Sequence, residues 1–303
     1  MNKIEKQYER TGVIYLVLLT FNFGLIAILA RFLSFYLTLC QQLYLTVGIA
    51  FLFGLVIFKK DLHYEKLKKI PFRDWFILAV RAIFGYVLGG LLYREALTLT
   101  KISNVTFIQS IPFAAILGFI LFGEKLTVKK VLYVILAFAG VMLIAVKDFS
   151  SLFIWGKGEI FSLISTFLFS FAFLARRWLS NFLNNQEMSQ IALFIGFVIL
   201  FGLSLINAEL IPVFPINGGL LFIVALFLLS FINTIDGLLI NFGFKHVPPV
   251  LASNILTLES VFALGLAFIF YREIPLVKEC IGGILIIGSV IQMNKLEEKR
   301  EMI

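Results

Sequence analysis

FIQSIPFAAILGFILFGEKLTVKK occupies residues 107–130, and LTLESVFALGLAFIFYREIPLVKE follows at 256–279, 149 residues later. Both are long apolar runs that stop at a glutamate, Glu124 in the first and Glu273 in the second. At that offset, residues 113–141 and 262–290 share eleven identities in 29 ungapped positions, among them Phe113, Leu117, Glu124, Lys129 and Val141. A repeat of this length predicts a chain built by duplication, with residues 1–148 as one half and 149–303 as the other.

The whole chain shares this character. Hydrophobic residues make up 60%, charged residues 15%, and the mean hydropathy is +1.00. Soluble domains are roughly half apolar and a quarter charged, so the composition defines an all-α integral membrane protein. A crossing of about 30 Å of hydrocarbon takes about 20 apolar residues. Ten such runs can be marked, at 12–30, 34–57, 75–92, 104–122, 128–146, 159–175, 188–207, 218–240, 250–271 and 277–293. The first is too long for the apolar core of a secretory signal and is read as a true span.

Five spans per half is an odd number, so the second half enters the membrane from the opposite side. The expected architecture is therefore two inverted five-helix repeats, the construction that lets transporters alternate access around a central site. The basic residues orient it. With both termini in the cytoplasm, 18 Lys and Arg flank the inner side and seven the outer, including Arg31, Arg94 and Lys101. The same bias accounts for the net charge of +8 and favours an anionic bilayer surface, not nucleic acid, as the charged partner.

The run RAIFGYVLGGLLYREALTLTKISNVTFIQSIPFAAILGFILFGEKLTVKKVLYVILAFAGVMLIAV, residues 81–146, together with LESVFALGLAFIFYREIPLVKECIGGILIIGSVI, residues 258–291, resembles the EamA-type branch of the drug/metabolite transporter superfamily. The resemblance implies export or exchange of a small metabolite such as an amino acid or nucleotide-like solute, with a cavity lined mainly by spans 3, 4, 8 and 9. Ser260 stands where the family often has a proline, so the sequence supplies no proline kink to span 9.

Charge inside an apolar run marks the candidate site, because an ionised group at a helix centre costs about 2.5 to 3.5 kcal/mol to insert. Arg81 in span 3, Asp236 in span 8 and Glu259 in span 9 stand out. Arg81 and Glu259 are placed at matching depth, roughly 10 to 14 Å from the inner edge, and Asp236 at about 6 to 8 Å. Tyr86, Tyr93, Gln109, Asn233 and Asn254 complete the expected lining. Arg81 is expected to pair with Glu259 or to grip a carboxylate or phosphate of substrate. Glu124 and Glu273 are read as turn residues favouring the start of the next helix. Thr127 is expected to cap span 5, and Pro275 to sit in the first turn of span 10. Arg176 and Arg177 are read as anchors at the inner end of span 6.

His63 and His246 stand alone and Cys40 and Cys280 form no CxxC pair, so neither metal nor cofactor is expected. No phosphate-binding loop suggests ATP hydrolysis. The reading is a secondary transporter, energised by a proton or counter-substrate, in a bacterial inner membrane as monomer or homodimer. The competing class is a polytopic enzyme acting on lipid or a prenyl carrier, which would need paired acids, clustered histidines or an acidic metal motif at the interface. A tag placed after Ile303 should stay unlabelled by impermeant reagents on intact cells; labelling from outside would overturn the orientation.

Overall fold

The computed structural model describes residues 3–146, 155–212, 219–272 and 274–300. Among these residues ten helices are long and apolar enough to cross a membrane: α1 (Glu5–Leu33), α2 (Leu39–Ile57), α3 (Phe72–Leu99), α4 (Asn104–Phe122), α5 (Val128–Ala145), α6 (Lys157–Trp178), α7 (Asn185–Ile206), α8 (Gly219–His246), α9 (Pro249–Leu266) and α10 (Val277–Glu298). Arg10 lies 3.6 Å from Glu298, so the start of α1 and the end of α10 lie on one face, the terminal face.

Local chemistry sets the helix ends. Thr38 Oγ1 accepts from the Gln41 amide at 3.3 Å while Gln41 Oε1 accepts from the Thr38 amide at 3.1 Å. Asn184 and Glu187 form the same reciprocal box at the start of α7. Each box satisfies two amides that a helix start leaves without partners. Thr127 caps α5 as its spacing predicts. Pro275 precedes the start of α10 at Val277, one step outside the first turn expected of it.

The duplication is visible in the backbone. α4 ends at Gly123 with φ +62°, and the corresponding break after α9 falls at Arg272 with φ +54°, again 149 residues on. The left-handed turn suits glycine and costs other residues about 1 to 2 kcal/mol, yet the second copy keeps it with an arginine. Packing repeats too: α2 lies on α7, α4 on α9 and α5 on α10, while α1 on α8 has its mate in α6 on α3.

The pair α5–α10 shows the inversion directly. A Cβ on Gly140 would lie 2.6 Å from the Gly282 carbonyl, and Ser289 Oγ donates to the Tyr133 carbonyl at 2.6 Å. Residue numbers rise along one helix as they fall along the other, so the two run antiparallel. Adding 149 to Tyr133 gives Gly282 and to Gly140 gives Ser289, so each contact is the symmetry mate of the other. The chain is an all-α membrane protein of two inverted five-helix halves.

Several expected placements change. α8 runs on to His246, which puts Asp236 ten residues from that end, about 15 Å deep and level with Arg81 and Glu259. Arg94, counted as an outer flank, is 6% exposed inside α3. Arg176 and Arg177 are not interfacial anchors: Arg176 is 2% exposed, and Arg177 donates to the Phe244 and Val247 carbonyls at 3.0 and 2.6 Å, capping the end of α8.

Glu124 accepts from the Val250 amide at 3.0 Å, so it caps α9 and not α5. It also pairs at 2.8 Å with buried Lys130, which reaches Glu297 of α10 at 2.5 Å. Glu273 lies outside the described residues.

The α5–α10 crossing predicts an asymmetry between neighbouring glycines. Gly140→Val should overpack the seam and cost about 1 to 3 kcal/mol, read as a lower melting temperature in detergent. Gly283→Ala, where an added Cβ meets nothing within 4 Å, should leave that temperature unchanged.

Candidate functional site

Eight of the ten helices, all but α5 and α10, surround one cavity with about 1290 Å³ of empty space, its mouth included. Arg81, Gly85, Tyr86, Tyr93 and Arg94 line it from α3, Gln109 from α4, and Asn233, Asp236 and Asn241 from α8. Glu259 contributes from α9, Ser189 from α7, and Thr166, Phe169, Ser170 and Phe173 from α6. The mixture of aromatic walls and a few convergent polar groups is that of a small-molecule site.

Three departures from regular helix border this space. α3 widens into π-helical turns over Ile83–Gly89, directly after Arg81, as often happens at functional sites. α4 breaks between Gln109 and Phe113 around Pro112. α9 breaks at Thr257 without a proline. A hydroxyl rebinds the backbone at both breaks: Ser110 donates to the Phe107 carbonyl at 2.6 Å, and Thr257 to the Asn254 carbonyl at 2.6 Å. Side-chain hydroxyls compete in this way with the helical ladder, so Thr257 does in the second half part of what Pro112 does in the first.

Arg81 donates Nε to the Ala172 carbonyl at 2.9 Å and Nη2 to Asn241 Oδ1 at 2.7 Å. Both acceptors are neutral. No ion pair joins Arg81 to Glu259 among the described residues, although the two share the cavity. Asp236 accepts from Asn22 Nδ2 of α1 at 2.5 Å through Oδ1. Arg81 Nη1, Asp236 Oδ2 and Ser189 Oγ have no hydrogen-bond partner among the described residues, and all three residues line the cavity. Buried polar atoms are almost always paired, so three open ones around one space make this cavity the candidate site for a polar ligand.

Of the eight residues selected from sequence, Arg81, Tyr86, Tyr93, Gln109, Asn233, Asp236 and Glu259 line this cavity. Asn254 does not: it is 1% exposed and donates to Ser289 Oγ of α10 at 3.1 Å. Gln109 Nε2 is engaged with Ser165 Oγ at 3.0 Å.

Residues not selected join the wall. Arg94 donates to Gln42, which itself donates to the Ala30 carbonyl at 2.7 Å. Asn241 continues the helical stripe of Asn233, Asp236 and Gly237, and Thr166, Phe169, Ser170 and Phe173 form another at i, i+3, i+4 and i+7. That spacing is the signal that would have found them.

Ten helices able to cross a membrane, an inverted duplication and an aromatic-walled cavity with a few convergent polar groups define the class of inverted-repeat membrane transporters. The profile of the EamA-like transporter family matches residues 10–146 and again 156–295, and the chain belongs to that family. An uncharacterized transporter of Synechocystis sp. (strain ATCC 27184 / PCC 6803 / Kazusa) is 21% identical over 271 residues, 84% of this chain and 75% of the relative. A chain of known crystal structure superposes with a TM-score of 0.74 at 16% identity, over 97% of this chain and 98% of its own. At that identity the likeness shows the fold alone. The protein is thus an integral membrane transporter.

The position of Asn254 separates packing from lining. Asn254→Ala should remove about 1 kcal/mol of stability with the lost hydrogen bond, and folded protein should keep its apparent substrate affinity. A weakened affinity at full folding would return Asn254 to the cavity wall.

Proposed function

We propose that the chain is a secondary transporter for a small organic solute bearing an anionic group, moved by alternating access as exporter or exchanger. The observation that carries this reading is Arg81. It is buried at mid-depth, its two hydrogen-bonded acceptors are neutral, and Nη1 is open among the described residues. A guanidinium does not escape burial by losing its proton, so a carboxylate or phosphate of substrate supplies the countercharge. Tyr86, Tyr93, Phe169 and Phe173 pack the body of the solute, and Ser189 and Asp236 offer further polar contacts.

Coupling belongs to the carboxylates. Glu259 stands two residues beyond the α9 break, where the backbone has already left the regular ladder. In this reading Glu259 or Asp236 takes up a proton when the substrate leaves and yields it when substrate returns. The interrupted α4 and α9, packed on each other across the pseudo-two-fold, supply the places where the two halves bend.

Arg81→Lys tests the central claim. Lysine keeps the charge and loses the planar fork, so transport in proteoliposomes should show about tenfold weaker affinity or worse, the worth of roughly one charge-assisted hydrogen bond. The rate is normalised to folded protein by a detergent melting curve. Wild-type rate and affinity in the folded variant would remove Arg81 from the site.

A further inference from the structure

A second pocket lies on the terminal face, where the loop between α2 and α3 folds over the start of α7. Its empty space is about 750 Å³, and its walls are mostly apolar: Phe51, Leu55, Leu67, Trp75, Ile191 and Phe194 among others. The 3₁₀ turn Tyr64–Lys69 forms its rim. Glu187 ties that turn down, accepting from Lys66 Nζ at 3.1 Å and from the His63 amide at 3.1 Å.

Two observations remain after those bonds are assigned. Gln190 lines the pocket, is 5% exposed, and neither its Oε1 nor its Nε2 has a hydrogen-bond partner among the described residues. In the segment 59–73 that carries the rim residues Leu62, His63, Tyr64 and Leu67, the side chains of Lys59, Lys60, Lys68, Lys69 and Arg73 are exposed and form no ion pair among the described residues. Tyr64, Phe72 and Phe76 stand exposed among them at 62%, 87% and 62%. An apolar slot with an amide inside, beside a segment of exposed aromatics and cations that form no ion pair among the described residues, is complementary to a lipid: acyl chain, ester carbonyl and anionic headgroup in that order.

The duplication sharpens the point. The equivalent loop of the second half, residues 207–218, has no lysine or arginine. A topology signal accounts for cations on one face, but it requires neither a slot beneath them nor an unpaired buried amide.

We infer that this corner binds one anionic phospholipid, its chain along Phe51, Leu55 and Phe194, its ester region at Gln190, and its phosphate among Lys68, Lys69 and Arg73. The site is separate from the central cavity, shares no lining residue with it, and stands or falls without the transport reading.

Native mass spectrometry of the detergent-purified full chain, offered equal phosphatidylglycerol and phosphatidylcholine, tests it. Surface attraction per cation corresponds to about fivefold in affinity, so phosphatidylglycerol should be retained at least that much more. Lys68→Gln with Lys69→Gln and Arg73→Gln should bring the ratio towards one. Leu67→Trp, which fills the slot without touching charge, should lower retention of phosphatidylglycerol while the melting curve of lipid-free protein stays the same. Equal retention of the two lipids by the wild type overturns the site, as does indifference to Leu67→Trp. Full displacement of the lipid by inorganic phosphate would also overturn it, leaving a simple anion patch.

Discussion

A backbone amide or carbonyl in hydrocarbon finds no water, so every break in a spanning helix has to be answered from within the protein. α4 and α9 obey this. Each is interrupted close to the wall of the central cavity, each uses a hydroxyl to rebind a freed carbonyl, and each leans on the other. The remaining spans close around this pair. α5 and α10 cross tightly at Gly140 and Gly282 on the outside of the cavity, and α3 bulges beside it where Gly85 and Gly89 leave room.

Burial of charge follows two different logics in the same bundle. At the terminal face, Lys130 lies between Glu124 and Glu297, and Arg177 faces two carbonyls at the end of α8; these cations have protein acceptors and tie helix ends together. Pairs of this kind add little net stability, yet removing one partner is costly. At mid-depth the pattern reverses. Arg81 faces neutral acceptors, Asp236 keeps one oxygen without a hydrogen-bond partner among the described residues, and Glu259 opens onto the cavity. Lys130 and Arg177 are thus satisfied by protein groups, and the charges facing the cavity are incompletely so.

Much of this was legible in residue types. The apolar runs gave the ten spans, and the offset of 149 between Glu124 and Glu273 gave the duplication, because both depend only on local composition and order. Arg81 and Asp236 were conspicuous because charge in an apolar run is rare.

What failed to show was direction and reach. Asn254 sits at the right depth but turns towards Ser289, and depth alone does not fix which way a helix face points. Arg94 reads as a flank because Glu95 and Lys101 follow, though α3 continues to Leu99. The bend of α9 carries no proline to announce it. Glu124 finds its partner 126 residues away at Val250, a contact no local pattern encodes.

The two halves share a backbone plan but not a charge plan. α3 brings Arg81 and Arg94 to the cavity, whereas its counterpart α8 brings Asp236 and two asparagines and no arginine. If the halves exchanged conformations, the fold would map onto itself and the electrostatic field would not. An ancestral pair of identical five-helix chains would have two energetically equal orientations by symmetry. Divergence of the two halves lifts that degeneracy, and in the alternating-access cycle proposed above it gives the bundle a preferred resting side, set by the field of its unequal halves in the cavity.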